Sequence, residues 1–192
     1  DNSISSSWTI LNGSWEELGG EMHQYSNYYD STYDTSYKGG VYALAGETSW
    51  SSYNLSVDIK STDNDRIGVV FYYQDENNYY VFLMDQEYPK RVLVRVSNGQ
   101  EQTIASSTDS YTISNWYKLK IALSGTTLQV FLDESIILSA NNITATRGKV
   151  GLFASGNDGC YWDNLSVYTT EDVVKPGDQI LFTDNFEDGQ VG

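Results

Sequence analysis

Residues 115–134 read Asn-Trp-Tyr-Lys-Leu-Lys-Ile-Ala-Leu-Ser-Gly-Thr-Thr-Leu-Gln-Val-Phe-Leu-Asp-Glu. On both sides of the central Ser-Gly-Thr-Thr, every second residue is apolar: Leu119, Ile121 and Leu123, then Leu128, Val130 and Leu132. A period of two is the pattern of a β-strand with one buried face, and small polar residues with glycine are typical of a turn. These residues therefore predict an antiparallel hairpin.

The same alternation returns twice further along the chain, each time after glycines. One run has its apolar residues at Val150, Leu152 and Ala154, and the next has Tyr161, Asp163, Leu165 and Val167 in register. We expect residues 115–167 to form consecutive antiparallel strands.

Three segments carry a resemblance to a known family: Trp116–Glu134, Gly148–Ala154 and Tyr161–Val167. In this order they resemble the C-terminal half of concanavalin A-like jelly-roll modules, among them the family 66 carbohydrate-binding modules and the laminin-G-like domains of bacterial secreted proteins. Trp8–Trp15 and Ile67–Tyr80 fit the entry strands and the central hairpin of the same template. The resemblance implies an all-β fold, an antiparallel β-sandwich of the jelly-roll type, and a secreted, non-catalytic protein that binds carbohydrate.

Composition agrees with a single all-β domain. A chain of 192 residues is a usual size for one sandwich, and its 16 glycines supply turns between short strands. We expect the module to span residues 1–168, a linker to span 169–178 and a tail to span 179–192. The single cysteine excludes a disulfide within the chain.

Charge narrows the classes of partner. The chain has 11 Lys and Arg against 26 Asp and Glu, a net charge of −15. This charge repels nucleic-acid phosphates and anionic lipid, so we expect neither nucleic acid nor a membrane as partner. Polysaccharide or oligosaccharide is the expected partner, and the expected location is extracellular or at the cell surface.

The tail offers two alternatives for the assembly. Residues 180–189, Ile-Leu-Phe-Thr-Asp-Asn-Phe-Glu-Asp-Gly, look like the first strand of a module in the resembled families. Either they begin a following module of a tandem array, or they fold back and supply a first strand here. We expect a monomer; a tail exchanged between two copies would give a strand-swapped dimer.

Calcium is the metal that the resemblance implies. Asp163 shares the parity of Leu165 and Val167, so we expect its carboxylate to point towards the apolar side of its strand, where it needs a cation or donors. The resembled families hold a structural calcium with residues that correspond to Asp163, to Gly40 or Gly39, and to Asn185, with Asn2 as the substitute if the tail does not fold back. The alternative is an Asp163 that bonds nearby backbone amides.

Tyrosine is the main signal for a sugar ligand. The chain has 16 Tyr and 5 Trp against 6 Phe, and Tyr and Trp combine a stacking face with a hydrogen-bonding tip. The segment Tyr72–Tyr80 concentrates such residues, and charged residues follow it. The predicted ligand-binding residues are Tyr72, Tyr80, Asp85, Arg91 and Arg95.

A second candidate surface is the tyrosine-rich loop Tyr25–Tyr37, which could stack on a polysaccharide or equally cross the sheet edge in solvent. The fructan-binding branch of the resembled family has an arginine after the phenylalanine at the position of Tyr72, so a fructan ligand is not supported. Arg91 and Arg95 are expected to lie on one face and could replace that arginine.

Catalytic residues are not predicted. The sequence lacks the paired carboxylates of a family 16 hydrolase, and Asp85-Gln86-Glu87 is the nearest approach to that pattern. His23 is the only histidine, and no base partner is identifiable for it. We expect a non-catalytic carbohydrate-binding module; the alternative is an adhesive or spacer module that binds protein or cell-wall glycan in a tandem array.

Overall fold

The computed structural model describes residues 4–29, 35–144, 146–169 and 179–187. Within these ranges the chain forms β-strands joined by turns. The strands are β1 (Trp8–Ile10), β2 (Trp15–Leu18), β3 (Glu21–Gln24), β4 (Val41–Ala45), β5 (Tyr53–Ser61), β6 (Arg66–Asp75), β7 (Asn78–Asp85), β8 (Lys90–Ser97), β9 (Gln100–Ser107), β10 (Tyr117–Ser124), β11 (Thr127–Leu132), β12 (Ser135–Ala140), β13 (Lys149–Ser155), β14 (Cys160–Thr169) and β15 (Ile180–Asp184).

Two antiparallel sheets face each other, which confirms the predicted β-sandwich. The seven-stranded sheet has the order β1-β4-β13-β6-β7-β8-β9. The eight-stranded sheet has the order β12-β11-β10-β5-β14-β3-β2, and β15 pairs with β14 off this path. Both sheets thus mix strands from the two halves of the chain, so neither half forms a domain of its own.

The predicted hairpin is confirmed at the expected register. Leu119 pairs with Leu132, and Leu123 pairs with Leu128, in β10 and β11. Its apolar residues point towards the other sheet and are buried. The expectation of consecutive neighbouring strands is wrong for β13, because β13 lies between β4 and β6 in the other sheet.

The core lies between the sheets and is centred on aromatic residues. Trp162 of β14 is fully buried, stacks on Trp15 with ring centroids 5.4 Å apart, and donates from Nε1 to the carbonyl oxygen of Gly68 at 3.2 Å. That hydrogen bond joins β14 of one sheet to β6 of the other. A buried indole needs such an acceptor because its N–H would otherwise lose its hydrogen bond to water.

The described part of the tail pairs with β14. Leu165 lies opposite Asp184 and Val167 lies opposite Phe182. The linker residues 170–178, and with them the turn between the two strands, lie outside the described residues. None of the described residues belongs to a helix long and apolar enough to cross a membrane.

Candidate functional site

The outer face of the seven-stranded sheet carries an apolar layer of its own. Alternate residues of β6, β7 and β8 point inward, and the residues between them point outward and are buried as well. The outward cluster consists of Tyr42, Leu44, Val70, Tyr79, Val81, Leu83, Val92, Val94, Val96 and Phe153, with Tyr37 and Tyr73 packed against it. A sheet face that is apolar and largely covered is a suitable floor for a ligand groove.

A groove with a volume of about 420 Å³ opens on this face. Its walls come from the end of β1, the segment before β4, β4 itself and the hairpin of β6 and β7. The lining residues are Leu11, Asn12, Lys38, Tyr42, Tyr73, Glu76, Asn77 and Tyr79. We call it the tyrosine groove; its volume is in the range of small-molecule sites, about 300–1,000 Å³.

Three tyrosines form a connected wall of this groove. The ring centroid of Tyr79 lies 6.3 Å from that of Tyr42 and 5.3 Å from that of Tyr73. Tyr42 and Tyr79 are buried, whereas Tyr73 is only half-buried. Tyr73 therefore presents the most accessible aromatic ring of the wall, and such a ring can pack on the C–H face of a sugar.

Hydrogen bonds between side chains and backbone groups hold the polar side of the groove in place. The Tyr42 hydroxyl donates to the carbonyl oxygen of Lys38 at 2.5 Å, and Lys38 Nζ donates to the carbonyl oxygen of Gly99 at 3.2 Å. The Asn12 amide donates to the Gly40 carbonyl at 2.8 Å and accepts from the backbone N–H of Tyr42 at 3.0 Å. These bonds fix the lining before any ligand arrives, which reduces the ordering cost of binding.

The tyrosines of the groove stay protonated at neutral pH. Burial raises the pKa of Tyr79 to about 12, against the opposing effect of its hydrogen bond with Tyr42. Burial also raises the pKa of Tyr42, and the neighbouring Tyr79 adds to it. For Tyr73 burial raises the pKa, followed by the charges of Glu76 and Asp75. The wall therefore presents neutral hydroxyls, which can donate and accept hydrogen bonds.

Tyr72 does not reach this groove, because β6 contains a β-bulge. Regular alternation from Phe71 would point Tyr72 outward, but its φ is 50° and the register with β7 shifts after Phe71. Tyr72 is 1% exposed, and its hydroxyl donates to the carbonyl oxygen of Tyr53 at 2.7 Å. Its assignment as a binding residue is corrected to a core role, and Tyr73 takes the outward position.

Tyr80 and Arg95, two of the predicted ligand-binding residues, lie together on the inward side of their sheet. They pair directly across β7 and β8, and with Tyr72 they line a cavity of about 60 Å³. The Tyr80 hydroxyl donates to the carbonyl oxygen of Thr144. A cavity of this size is too small for a sugar ring, since ligand sites begin at roughly 300 Å³. We therefore remove Tyr80 and Arg95 from the candidate surface.

Arg91 is a rim residue. It shares the inward parity of Arg95, as predicted, with the buried Leu93 between them. Its Nη2 donates to the carbonyl oxygen of Ser110 at 2.6 Å, and its Nη1 lies 3.8 Å from the carboxylate of Asp109. These contacts tie Arg91 to the segment after β9 rather than to the tyrosine groove.

Asp85 is fully buried in an ion-pair cluster on the outer side of the sheet. Its Oδ2 lies 3.2 Å from Arg66 Nε and 3.3 Å from Lys90 Nζ. Its Oδ1 accepts the backbone N–H of Tyr88 at 3.0 Å. These contacts occupy both carboxylate oxygens, so Asp85 has a structural role in place of the predicted ligand contact.

The loop Tyr25–Tyr37 is anchored at both described ends. Gly156 N–H donates to the carbonyl oxygen of Tyr28 at 2.7 Å, and the backbone N–H of Tyr37 donates to the Glu101 carboxylate at 3.0 Å. Tyr28 and Tyr29 are exposed, and Tyr37 packs against the outward apolar cluster. Residues 30–34 of this loop lie outside the described residues.

His23 lies on the outer face of the other sheet. Its ring stacks on Tyr161 with centroids 4.3 Å apart, and its Nδ1 is 3.1 Å from Glu16 Oε1. His23 is a residue of strand β3, and its contact with Glu16 could not be identified from the sequence. His23 and Glu16 do not line the tyrosine groove, because they lie on the outer face of the other sheet.

Asp163 points outward, because a second bulge reverses the parity of β14. Trp162 and Leu165 both point into the core, and Asn164 between them has a φ of 52°. Oδ1 of Asp163 accepts the Asn164 N–H at 2.6 Å. The expected inward direction of Asp163 is therefore wrong. The structure instead shows the alternative, in which Asp163 bonds a nearby backbone amide.

The predicted calcium ligands come from different elements of the fold, and calcium binding stays a prediction. Asn185 follows β15, whose Asp184 lies opposite Leu165 of β14, whereas Gly40 precedes β4 in the other sheet. Among the described residues, no group of three or more His, Cys, Asp or Glu is arranged to hold a metal ion. Gly39 is buried like Gly40, and Asn2 lies outside the described residues.

Replacing Asp163 by asparagine is expected to leave the protein as stable as before, or more stable, at pH 7. Burial, followed by the charges of Asp58, Glu187 and Glu21, raises the pKa of Asp163 above its usual 3.8, while the Asn164 bond lowers it. A raised pKa means that the folded state binds the proton more tightly, so ionisation costs stability as pH rises through that pKa. Melting temperatures of the two proteins should converge as pH falls towards 4. A variant that melts lower at pH 7 in chelator would contradict this.

Comparison with known proteins adds a family and a fold. Residues 1–168 match the family model of the 3-keto-alpha-glucoside-1,2-lyase-like domain. A search of the curated proteins finds no significant match.

Three solved structures are similar in fold. The carbohydrate-binding module CBM66 from Bacillus subtilis is 19% identical, with a TM-score of 0.66 over 86% of this chain and 96% of that one. A Bacillus subtilis protein of unknown function with a galectin-like fold is 9% identical, with a TM-score of 0.63 over 83% of this chain and 88% of that one. Sheep galectin-11 in complex with glycerol is 11% identical, with a TM-score of 0.52 over 64% of this chain and 94% of that one. These likenesses agree with the jelly-roll sandwich.

Proposed function

This chain belongs to the family of 3-keto-alpha-glucoside-1,2-lyase-like domains, and we propose that it is a non-catalytic module that binds a polysaccharide or oligosaccharide in the tyrosine groove. The observation that carries the proposal is the wall of Tyr42, Tyr73 and Tyr79 beside fixed polar groups. A sugar ring has an apolar C–H face and a hydroxyl edge, and this groove has a partner for each. The carbohydrate-binding module CBM66 supports the proposal through its fold alone.

The rim favours a sugar without a strong charge. Lys38 and Glu76 have opposite charges and line the groove together with Asn12 and Asn77. The chain as a whole is strongly acidic and repels a polyanionic glycan. We propose a neutral glycan, met outside the cell or at the cell surface, as the ligand.

The groove lining also supports a binding role over hydrolysis. Among the described residues that line it, Glu76 is the only one with a carboxylate. Glycoside hydrolysis normally requires two carboxyl groups at a defined separation across the scissile bond. One exposed glutamate at a turn does not supply that arrangement.

Replacing Tyr73 by alanine is expected to weaken glycan binding about tenfold or more, because a central aromatic anchor carries a large share of binding energy. The measurement is retention on a glycan array, followed by calorimetry with the best ligand. The matched control is Trp116→Ala, which removes an exposed aromatic ring from the other sheet and should bind normally. Equal binding by wild type and Tyr73→Ala would place the ligand elsewhere.

The family description favours one second candidate, a lyase that acts on a 3-keto-α-glucoside. Incubating the wild-type protein with 3-keto disaccharides and following product release tests it. Turnover that Glu76→Gln abolishes would replace the binding proposal with an enzymatic one. Absence of turnover together with glycan retention would support a module that only binds.

Calcium remains a separate proposal, supported by the acidic surroundings of Asp163. A bound cation would offset the repulsion between Asp163 and the nearby Asp58, Glu187 and Glu21, and it would raise the melting temperature. Calcium should then stabilise the wild type and not Asp163→Asn. Equal melting temperatures of the wild type in calcium and in chelator would rule it out.

A further inference from the structure

The eight-stranded sheet is completed by a strand from the far end of the chain. β14 pairs with β3 through Cys160–Trp162, and beyond the bulge it pairs with β15 through Leu165–Tyr168. β15 thus continues the line of β3 along the same edge of β14. Without β15 this half of β14 would be an open strand edge, and such an edge accepts another strand.

Side chains, rather than backbone pairing alone, specify which strand fits. Phe186 and Asp184 are 2% and 3% exposed. Trp8 Nε1 donates to Asp184 Oδ2 at 2.8 Å, and the Trp8 ring lies 6.0 Å from Phe182 and 5.8 Å from Phe186 between centroids. The tail therefore fills a shaped slot whose wall is Trp8, and an empty slot would leave that tryptophan without its hydrogen bond.

The connection between the two strands is longer than a tight hairpin turn. Residues 170–179 join β14 to β15, whereas about 2–5 residues join most hairpin strands. A tight turn would fix the register by itself, but a connection of this length leaves the register to the side chains. The recognition elements thus belong to the slot and the tail, whichever chain provides the tail.

We propose that the open edge of β14 is a strand-acceptor site and that residues 179–187 of a second copy of this chain can fill it by β-strand addition. In the intact chain the tail has an effective concentration on the order of mM for its own slot, so exchange between copies is a minor event at lower protein concentration. The donated strand also contributes to a second surface, because Phe182 lines a groove of about 440 Å³ together with Trp50.

Deletion of residues 170–178 tests the proposal. Only Gln179 then remains between the strands, and one residue cannot reverse the chain, since the shortest common hairpin loops have two. We expect dimers or longer oligomers by light scattering at micromolar concentration. Adding Phe182→Asp and Phe186→Asp to the deletion should give monomers that melt earlier. A deletion variant that stays monomeric at all concentrations would overturn the proposal.

A second measurement covers a deletion variant that does not fold. In a second variant of the full chain, a protease site replaces residues 172–177. Cleavage of the folded protein at this site leaves the tail bound without a covalent link. A fluorescent peptide of residues 179–187 should then exchange into the slot with saturable 1:1 binding. The same peptide with Asp184→Ala and Phe186→Ala should bind at least about tenfold more weakly. Absence of exchange, or equal binding of both peptides, would overturn the proposal.

Discussion

Replacing Asp85 by asparagine is expected to lower the free energy of unfolding by about 3–5 kcal/mol, the usual cost of breaking a buried ion pair from one side. The carboxylate is fully buried between Arg66 and Lys90, and Arg66 is itself only 1% exposed. The variant removes the carboxylate charge that lies beside the buried guanidinium. Urea unfolding of the variant and the wild type measures the difference.

The control is Asp109→Asn, which removes a second aspartate that lies beside an arginine. Its carboxylate is exposed and 3.8 Å from Arg91, so the change should stay within about 0.5 kcal/mol. If Asp85 were a sugar ligand, its replacement would reduce binding and leave stability unchanged. That result would restore its predicted role and contradict the structural one.

Replacing Trp162 by alanine is expected to cost about 3–5 kcal/mol, the range for removing a large buried aromatic side chain. The indole packs on Trp15 and hydrogen-bonds Gly68 of the opposite sheet, so its loss opens a cavity and removes a bond between the sheets. Trp116→Ala is the comparison, with an indole that is 39% exposed and an expected cost below about 1 kcal/mol. Equal costs for the two variants would mean that Trp162 does not anchor the core.

The sandwich could be predicted because alternation is a local signal. Leu119, Ile121 and Leu123 specify one buried face, and their hairpin partner follows after a short turn. The distribution of strands between the sheets could not be predicted in this way. β13 pairs with β4 and β6, which precede it by many residues, and no local pattern marks such pairing.

Two bulges explain the errors in the predicted sites. Tyr72 and Asn164 both have a positive φ, and each reverses the parity of the residues on one side of it. Period-two patterns cannot locate a single added residue, so Tyr72 was assigned to the groove and Asp163 to the core. The central hairpin of β6 and β7 was predicted correctly. The ring that faces the groove, however, belongs to Tyr73, the neighbour of Tyr72.

The rest of the groove was missed for a different reason. Asn12, Lys38 and Tyr42 come from segments that precede the central hairpin by about 25 residues or more, and β13 lies between β4 and β6 in the sheet. Their contribution depends on strand order rather than on composition. The excess of tyrosine was the only available signal, and it identified the residue type without the positions.

Amide chemical-shift mapping during titration with the oligosaccharide that the array retains best tests the groove most directly. The largest shifts are expected at Tyr73, Glu76, Asn77 and Tyr79, which line the groove along one hairpin. Small changes at these four amides, with large ones around Trp50 and Phe182 or on the outer face of the eight-stranded sheet, would contradict the assignment of the tyrosine groove as the glycan site.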